Sequence, residues 1–361
     1  MILTKDMYVP ALRWRQGEYQ ALAGLAAAAK DRIAPYVIIP EVEFDFELRQ
    51  LKKSVHEHVH PFSARFNRKW GQRPAWVGVH PRIAGEPMGD GRDVLTYVFE
   101  ALRAFQANAI PAVPLDASTS MAASVAAIAS TDGLGSAIAI RLEDLMKPDA
   151  RTRIEALVTS LGLSLTEVDL VIDLGAPNFE PYVAFAGLLI AAVQRLGDLH
   201  NFRNFVVIGT AIPKTFKDVA KGVDQLPRHD WLFYKALLGK MPARMRKPNY
   251  GDHTIVHPEF APVDMRKIKS AGKLVYTTAS EWEVRKGGAF RDDPGQMHDH
   301  CASIVASGKF REAGFSSGDD YIAKCAARTA KPSNQTRWKT VAINHHITYV
   351  LDDLSTSGAA P

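Results

Sequence analysis

The stretch APYVIIPEVEFDFE (residues 34–47) decides how the rest of the chain is read. Its first half is an apolar run, Tyr36 to Ile39, of strand-like composition. Its second half sets Glu41, Glu43, Asp45 and Glu47 on every second position. A strand sends alternate side chains to opposite faces, so a strand continuing through the segment would line one side with carboxylates. A strand that stops after its apolar run instead delivers its first acids to the strand's end. Glu41 and Glu43 are therefore expected at that end. Asp45 and Glu47 are expected to open the next helix, where acids suit the dipole.

The same unit recurs along the first two thirds of the chain. Apolar runs at 7–14, 34–42, 75–80, 109–116, 135–142, 168–175 and 204–212 alternate with helix-like segments, the clearest at 17–33, 91–107, 149–162 and 183–197. Asp149 is placed to cap one of these helices, and Gly162 and Gly197 to stop two. Strands that alternate with helices require a parallel sheet. Seven near-even units, with an eighth strand expected in KLVYTTASEWEV (273–284), predict a TIM-like (β/α)8 barrel with an elaborated C-terminal region. The alternative is a doubly wound parallel sheet, which usually carries a glycine-rich loop after its first strand. Here that turn reads RWRQGEY, with one glycine. Residues 1–260 are expected to form the barrel core, and 261–361 to complete or cover it as part of the same domain.

In such a barrel the strand ends feed one functional face. The polar residues of this chain collect there: Arg13 and Arg15, Glu41 and Glu43, His80, Asp116, Arg141 and Glu143, Asp173 and Thr210 follow successive runs, and the runs themselves hold almost no charge. Glu41 and Asp173 are the candidate catalytic carboxylates. Arg13 and Arg141 are the candidate anion holders, with Glu43, Asp116 and Thr210 as further ligand contacts. The segment NHHIT (344–348) adds His345 and His346 as candidate proton carriers.

Other features narrow the possibilities. The 361 residues carry a net charge of +5, with basic clusters at 240–248 and 263–273 that more often form a solvated face than a nucleic-acid site. Two cysteines without CxxC spacing predict free buried thiols and a reducing cytoplasm. No signal peptide is read at the N-terminus, and the longest apolar stretch (183–193) is too short to span a bilayer. His56, His58 and His60 in HEHVH would share a face on a strand and could bind a metal there; on a helix only His56 and His60 are neighbours, and no metal is assigned. No GxSxG, HExxH, Walker A or GxGxxG motif occurs.

Together, YVPALRWRQGEYQAL and IAPYVIIPEVE near the start, then NYGDHTIVHP (249–258), LVYTTASEWEVRKGG (274–288), FSSGDDYIAKCA (315–326) and NQTRWKTVAINHHITYV (334–350), resemble the phage and prophage beta protein family over nearly the whole chain. His253 stands where an aromatic residue is expected. The resemblance implies a prophage or genomic-island protein associated with anti-phage defence or toxin immunity. It brings no catalytic residues or cofactor. It marks polar positions only: Arg13, Glu18, Glu41, Asp173, Asp252, His257, Arg285, Asp319, Thr336, Trp338, Asn344, His345 and His346. Asp319 reads as a helix cap. Three functions compete in this order. The first is a defence or immunity component acting through a small anionic ligand or a partner protein from the same cassette. The second is a hydrolase or lyase acting on an anionic or phosphate-containing substrate. The third is a nucleic-acid binder.

Overall fold

The computed structural model describes residues 1–259 and 269–357. In chain order its strands are β1 (Val9–Leu12), β2 (Tyr36–Ile39), the short pair β3 (Phe44–Asp45) and β4 (Gln50–Leu51), β5 (Ala75–Val79), β6 (Ala109–Pro114), β7 (Ser136–Arg141), β8 (Val168–Asp173), β9 (Asn204–Gly209), β10 (Gly222–Pro227), β11 (Asn249–Asp252), β12 (Ala271–Thr277) and β13 (Glu281–Ala289). Eight of them close into a ring in the order β1-β11-β9-β8-β7-β6-β5-β2. Every pairing in the ring is parallel. The fold is an α/β TIM-like barrel. Its strands are buried on both faces, as parallel strands flanked by helices must be, which is why they read as unbroken apolar runs.

The chain divides into two compact units. The first holds Met1–Trp14, Ile33–Thr210 and Asp230–Asp252, and so contains the whole ring. The second gathers Arg15–Arg32, Ala211–His229 and the chain from His253 onward. It contains an antiparallel sheet in the order β10-β13-β12 and the helices Gln296–Val305, Ser317–Ala326 and Gln335–Ser357.

Alternation along each barrel strand separates an inner from an outer face. The inner face carries Val9, Ala11, Ala34, Tyr36, Trp76, Ile110, Ala112, Ala137, Val171, Val206 and Ile208, which form one buried cluster. Polar groups fill the amino end of the ring. Asp169 is fully buried and accepts from both sides of the Arg203 guanidinium, at 2.8 and 2.6 Å. It also accepts from Asn204 Nδ2 at 2.6 Å and Trp76 Nε1 at 2.6 Å. Asn204 in turn holds Leu3 N–H (2.8 Å) and Met1 O (3.0 Å), tying the N-terminal residues to this floor.

The strand that closes the ring is not the expected one. KLVYTTASEWEV (273–284) contributes to the antiparallel pair β12–β13 in the second unit. Its alternation of polar and apolar residues suits a sheet buried unequally on its two faces. The eighth barrel strand is β11, Asn-Tyr-Gly-Asp, whose polar letters hide a fully buried strand. Asn249 Nδ2 donates to Thr4 O (2.7 Å) and Met7 O (3.1 Å), and Tyr8 Oη donates to Asp252 Oδ1. Gly251 pairs with Val9 on one side and Ile208 on the other. A Cβ there would lie 2.7 Å from Ile208 Cγ1 and 2.8 Å from Val9 O, so only glycine lets both neighbours approach.

Asp45 and Glu47 do not open a helix. They lie in the β3–β4 hairpin, where Asp45 Oδ1 accepts from Glu47 N–H (2.8 Å) and Leu48 N–H (3.0 Å) and makes a tight turn. Gly162 and Gly197 take positive φ (66° and 91°) where their helices end. Asp149 stands at its helix's N-cap but makes no side-chain cap bond. HEHVH is helical, with His56 and His60 stacked at 5.4 Å.

Gly251→Ala is expected to cost about 1–3 kcal/mol through overpacking against β1 and β9. The measurement is a urea midpoint lowered with unchanged slope; a midpoint equal to that of the parent would show that closure tolerates the added methyl.

Candidate functional site at the barrel rim

Parallel closure puts the carboxyl ends of all eight strands on one rim. Going round the ring, Arg13 follows β1, Thr210 follows β9, Asp173 ends β8, Arg141 ends β7, Asp116 follows β6, His80 follows β5 and Glu41 follows β2. Charged and polar side chains thus ring the opening, and each is set there by where its strand stops.

Glu41 is 7% exposed. His80 caps the short helix Pro81–Ala84, its Nδ1 accepting Arg82 N–H at 3.3 Å. An accepting Nδ1 puts the neutral ring's proton on Nε2, which faces Glu41 Oε2 at 3.8 Å. That separation is longer than a hydrogen bond and short enough to tighten around a ligand. Asp173 is half-buried and accepts Gly175 N–H at 2.9 Å. Its charge acts on Tyr36, an inner-face residue of β2. Burial first, and Asp173 second, push the Tyr36 phenol well above its usual value, so it stays a neutral hydroxyl. Ile38 and Ala139, next along the inner face toward the rim, are only partly buried.

Arg13 is positioned by strain. Trp14, which follows it, has φ +48°, a costly conformation for a bulky aromatic residue. Trp14 is buried against Phe62 and Phe66, with ring centroids 5.5 and 5.4 Å away. No pattern of residue types announces this turn. Arg141 is exposed and contacts Asp116 (2.8 Å), Glu143 (3.3 Å) and Asp144 (3.4 Å). Burial raises the Asp144 carboxyl, but hydrogen bonds from Lys147 and Arg153 outweigh it and hold the pKa at about 2.

Several expected site residues lie elsewhere. Glu43 is exposed and pairs with Lys52 at 2.9 Å. Asp252 is fully buried with Tyr8, one position out of phase with the inner-face residues, and so stands outside the barrel lumen. His257 belongs to the second unit, where its Nδ1 accepts Glu259 N–H at 3.1 Å and burial lowers its pKa. Of the basic clusters, Arg246 is spent on the carbonyls of Leu199, Phe202 and Arg203, and residues 263–268 lie outside the described residues.

His345 and His346 are also in the second unit, both 0% exposed. His345 Nδ1 faces Asp319 Oδ2 at 2.9 Å and its Nε2 faces Thr277 O at 2.9 Å. Thr277 O can only accept, so His345 Nε2 carries a proton and donates to it, which turns Nδ1 toward the Asp319 carboxyl. Asp319 also accepts from Tyr276 Oη (2.8 Å) and from Ser316 Oγ. Ser316, not Asp319, is the helix cap. His346 Nδ1 meets Thr277 Oγ1 at 2.9 Å. The ring of His345 stacks on Tyr276 at 3.9 Å, and neither histidine reaches solvent to carry a proton. Asn344 joins the same helix to Gly318 N–H and Ala21 O. Trp338 packs in the second unit's apolar core.

Among the described residues no group of three or more His, Cys, Asp and Glu is placed to hold a metal ion. No described helix is long and apolar enough to cross a membrane.

A family model described as Beta protein matches residues 8–352. Among solved structures, the chain is similar to diaminopimelate decarboxylase from Helicobacter pylori complexed with L-lysine, at 10% identity and a TM-score of 0.39. That match covers 69% of this chain and 56% of the other, so the chain spans little more than half the length of that structure. No curated protein matches.

Burial raises the Asp319 carboxyl, but bonds from His345, Ser316 and Tyr276 lower it further, and the net shift is downward. A depressed carboxylate contributes stability above its unfolded pKa, near 3.9, and loses it as pH falls through the folded value. Asp319→Asn is therefore expected to cost about 1–3 kcal/mol at pH 7, where it replaces the buried carboxylate that His345, Tyr276 and Ser316 share. In urea unfolding at pH 7 and pH 3, the gap between parent and variant should narrow at the lower pH; a constant gap would refute a charged carboxylate at this position.

Proposed function

The chain belongs to the beta protein family, and from that premise we propose that it acts by binding a small polar, anionic ligand at the carboxyl rim of its barrel. The observation that carries this reading is the convergence of Arg13, Glu41, His80, Arg141 and Asp173 on one rim, above an apolar inner face that includes Tyr36. Binding sites of this fold class sit at that end. Arg13 and Arg141 supply positive charge to an anionic group. Glu41, His80 and Asp173 accept or exchange protons with the ligand's polar atoms. The setting we infer is prophage or genomic-island defence or immunity in the cytoplasm, with the bound ligand as signal or substrate and a partner protein from the same cassette as the other route of action.

The Glu41–His80 approach favours one second reading, a hydrolase or lyase. A carboxylate beside an imidazole whose proton points toward it can move a proton at a bound substrate. Tyr36, kept neutral, would donate a hydrogen bond to a developing negative charge. The nucleic-acid reading draws less support, since Arg246 of the first basic cluster is committed to backbone carbonyls.

Glu41→Gln and Asp173→Asn preserve shape and remove charge. Each is expected to abolish protection of host cells in a phage-challenge assay while leaving the melting temperature of the purified protein unchanged. If the reaction is catalytic, the loss of rate in either variant should reach about 10²–10⁴-fold. Full protection by both variants would remove the rim from the protein's function.

A further inference from the structure

Among the described residues of the second unit, Lys273 carries a positive charge that no carboxylate pairs. β12 and β13 pair antiparallel with Lys273 directly opposite Lys286. Side chains of such a pair stand together on one face, and like charges there are destabilising. Lys286 is accounted for: its Nζ donates to Phe216 O (2.6 Å), Lys217 O (3.1 Å) and Val219 O (2.6 Å), which uses its three protons. Lys273 is not. Its Nζ lies over the Phe216 ring, 4.8 Å from the centroid, and among the described residues it makes no hydrogen bond or ion pair. It is nevertheless half-buried.

A third ammonium adds to the pair. Lys339 sits on the helix Gln335–Ser357, which packs against β12. Its stem lies along Gly17, its Cγ 2.9 Å from where a Cβ there would stand. Burial, then the charges of Lys339 and Lys286, push the Lys273 ammonium's pKa downward, and no carboxylate offsets them.

We propose that Lys273, Lys339 and Lys286 form a binding site for a small phosphate-bearing anion on the second unit. The anion takes the unused protons of Lys273 and Lys339. Lys286, locked by three carbonyls, forms a fixed positive wall. Lysine suits phosphate as a point charge with freely rotating donors. The rival explanation is that Lys273 merely covers apolar surface with its stem. In that case the ammonium has no ligand, and its removal leaves anion binding untouched. The site involves none of the rim residues, so its failure and the failure of the rim reading are independent.

The test is isothermal titration of the full chain with inorganic pyrophosphate at low ionic strength, for the parent, Lys273→Met, Lys339→Met and the control Lys235→Met. The expected result is saturable binding by the parent and the control, weakened at least about tenfold in both site variants. Without anion, Lys273→Met should melt at or above the parent's temperature, because it relieves like-charge repulsion. Should Lys273→Met fold poorly, the exposed Lys339 carries the test. Absence of saturable binding by the parent, or binding by both site variants as tight as the parent's, would overturn the proposal.

Discussion

Closure of the ring at Gly251 is the constraint on which the rest of this structure depends. β11 must sit between β1 and β9 at hydrogen-bonding distance, and a single Cβ would meet backbone on one side and a side chain on the other. Once that strand is seated, all eight carboxyl ends share one rim. Without it the sheet is open, and Arg13 and Thr210 no longer flank one gap. Polar bonds from Asn249 and Asp252 do for β11 what apolar packing does for the other strands.

Two kinds of buried charge occur in this chain, and they have different uses. At the amino end of the ring, Asp169 is saturated by Arg203, Asn204 and Trp76. In the second unit, Asp319 is saturated by His345, Tyr276 and Ser316. Buried charges so fully bonded are strongly destabilising to break but offer nothing to a ligand. The rim is different: Asp173 is half-buried, and Glu41 and His80 stand near each other without closing a hydrogen bond.

The alternation of apolar runs and helical segments gave away the barrel because parallel strands buried on both faces must be apolar throughout. The same logic hid β11, whose letters Asn-Tyr-Gly-Asp carry no such run. It also misplaced the eighth strand, because KLVYTTASEWEV has strand character without saying which sheet it joins. Of the acids after β2, Glu41 follows the strand as expected, but Glu43 is exposed beside Lys52 and Asp45 and Glu47 went to a hairpin: an aspartate before two N–H groups makes a turn as readily as a helix start. His345 and His346 looked like proton carriers because histidine type is visible in a sequence and burial is not.

The sequence by itself determined seven of the eight barrel strands and the residues that follow them, since both follow from where apolar runs begin and end. Only the tertiary structure decided which strand closes the ring and which polar residues are buried in hydrogen bonds. Those outcomes depend on contacts between segments hundreds of residues apart, such as Tyr8 with Asp252, and on backbone choices such as the positive φ of Trp14. Neither is encoded in local periodicity, because each is fixed by packing against neighbours that the chain reaches only when folded.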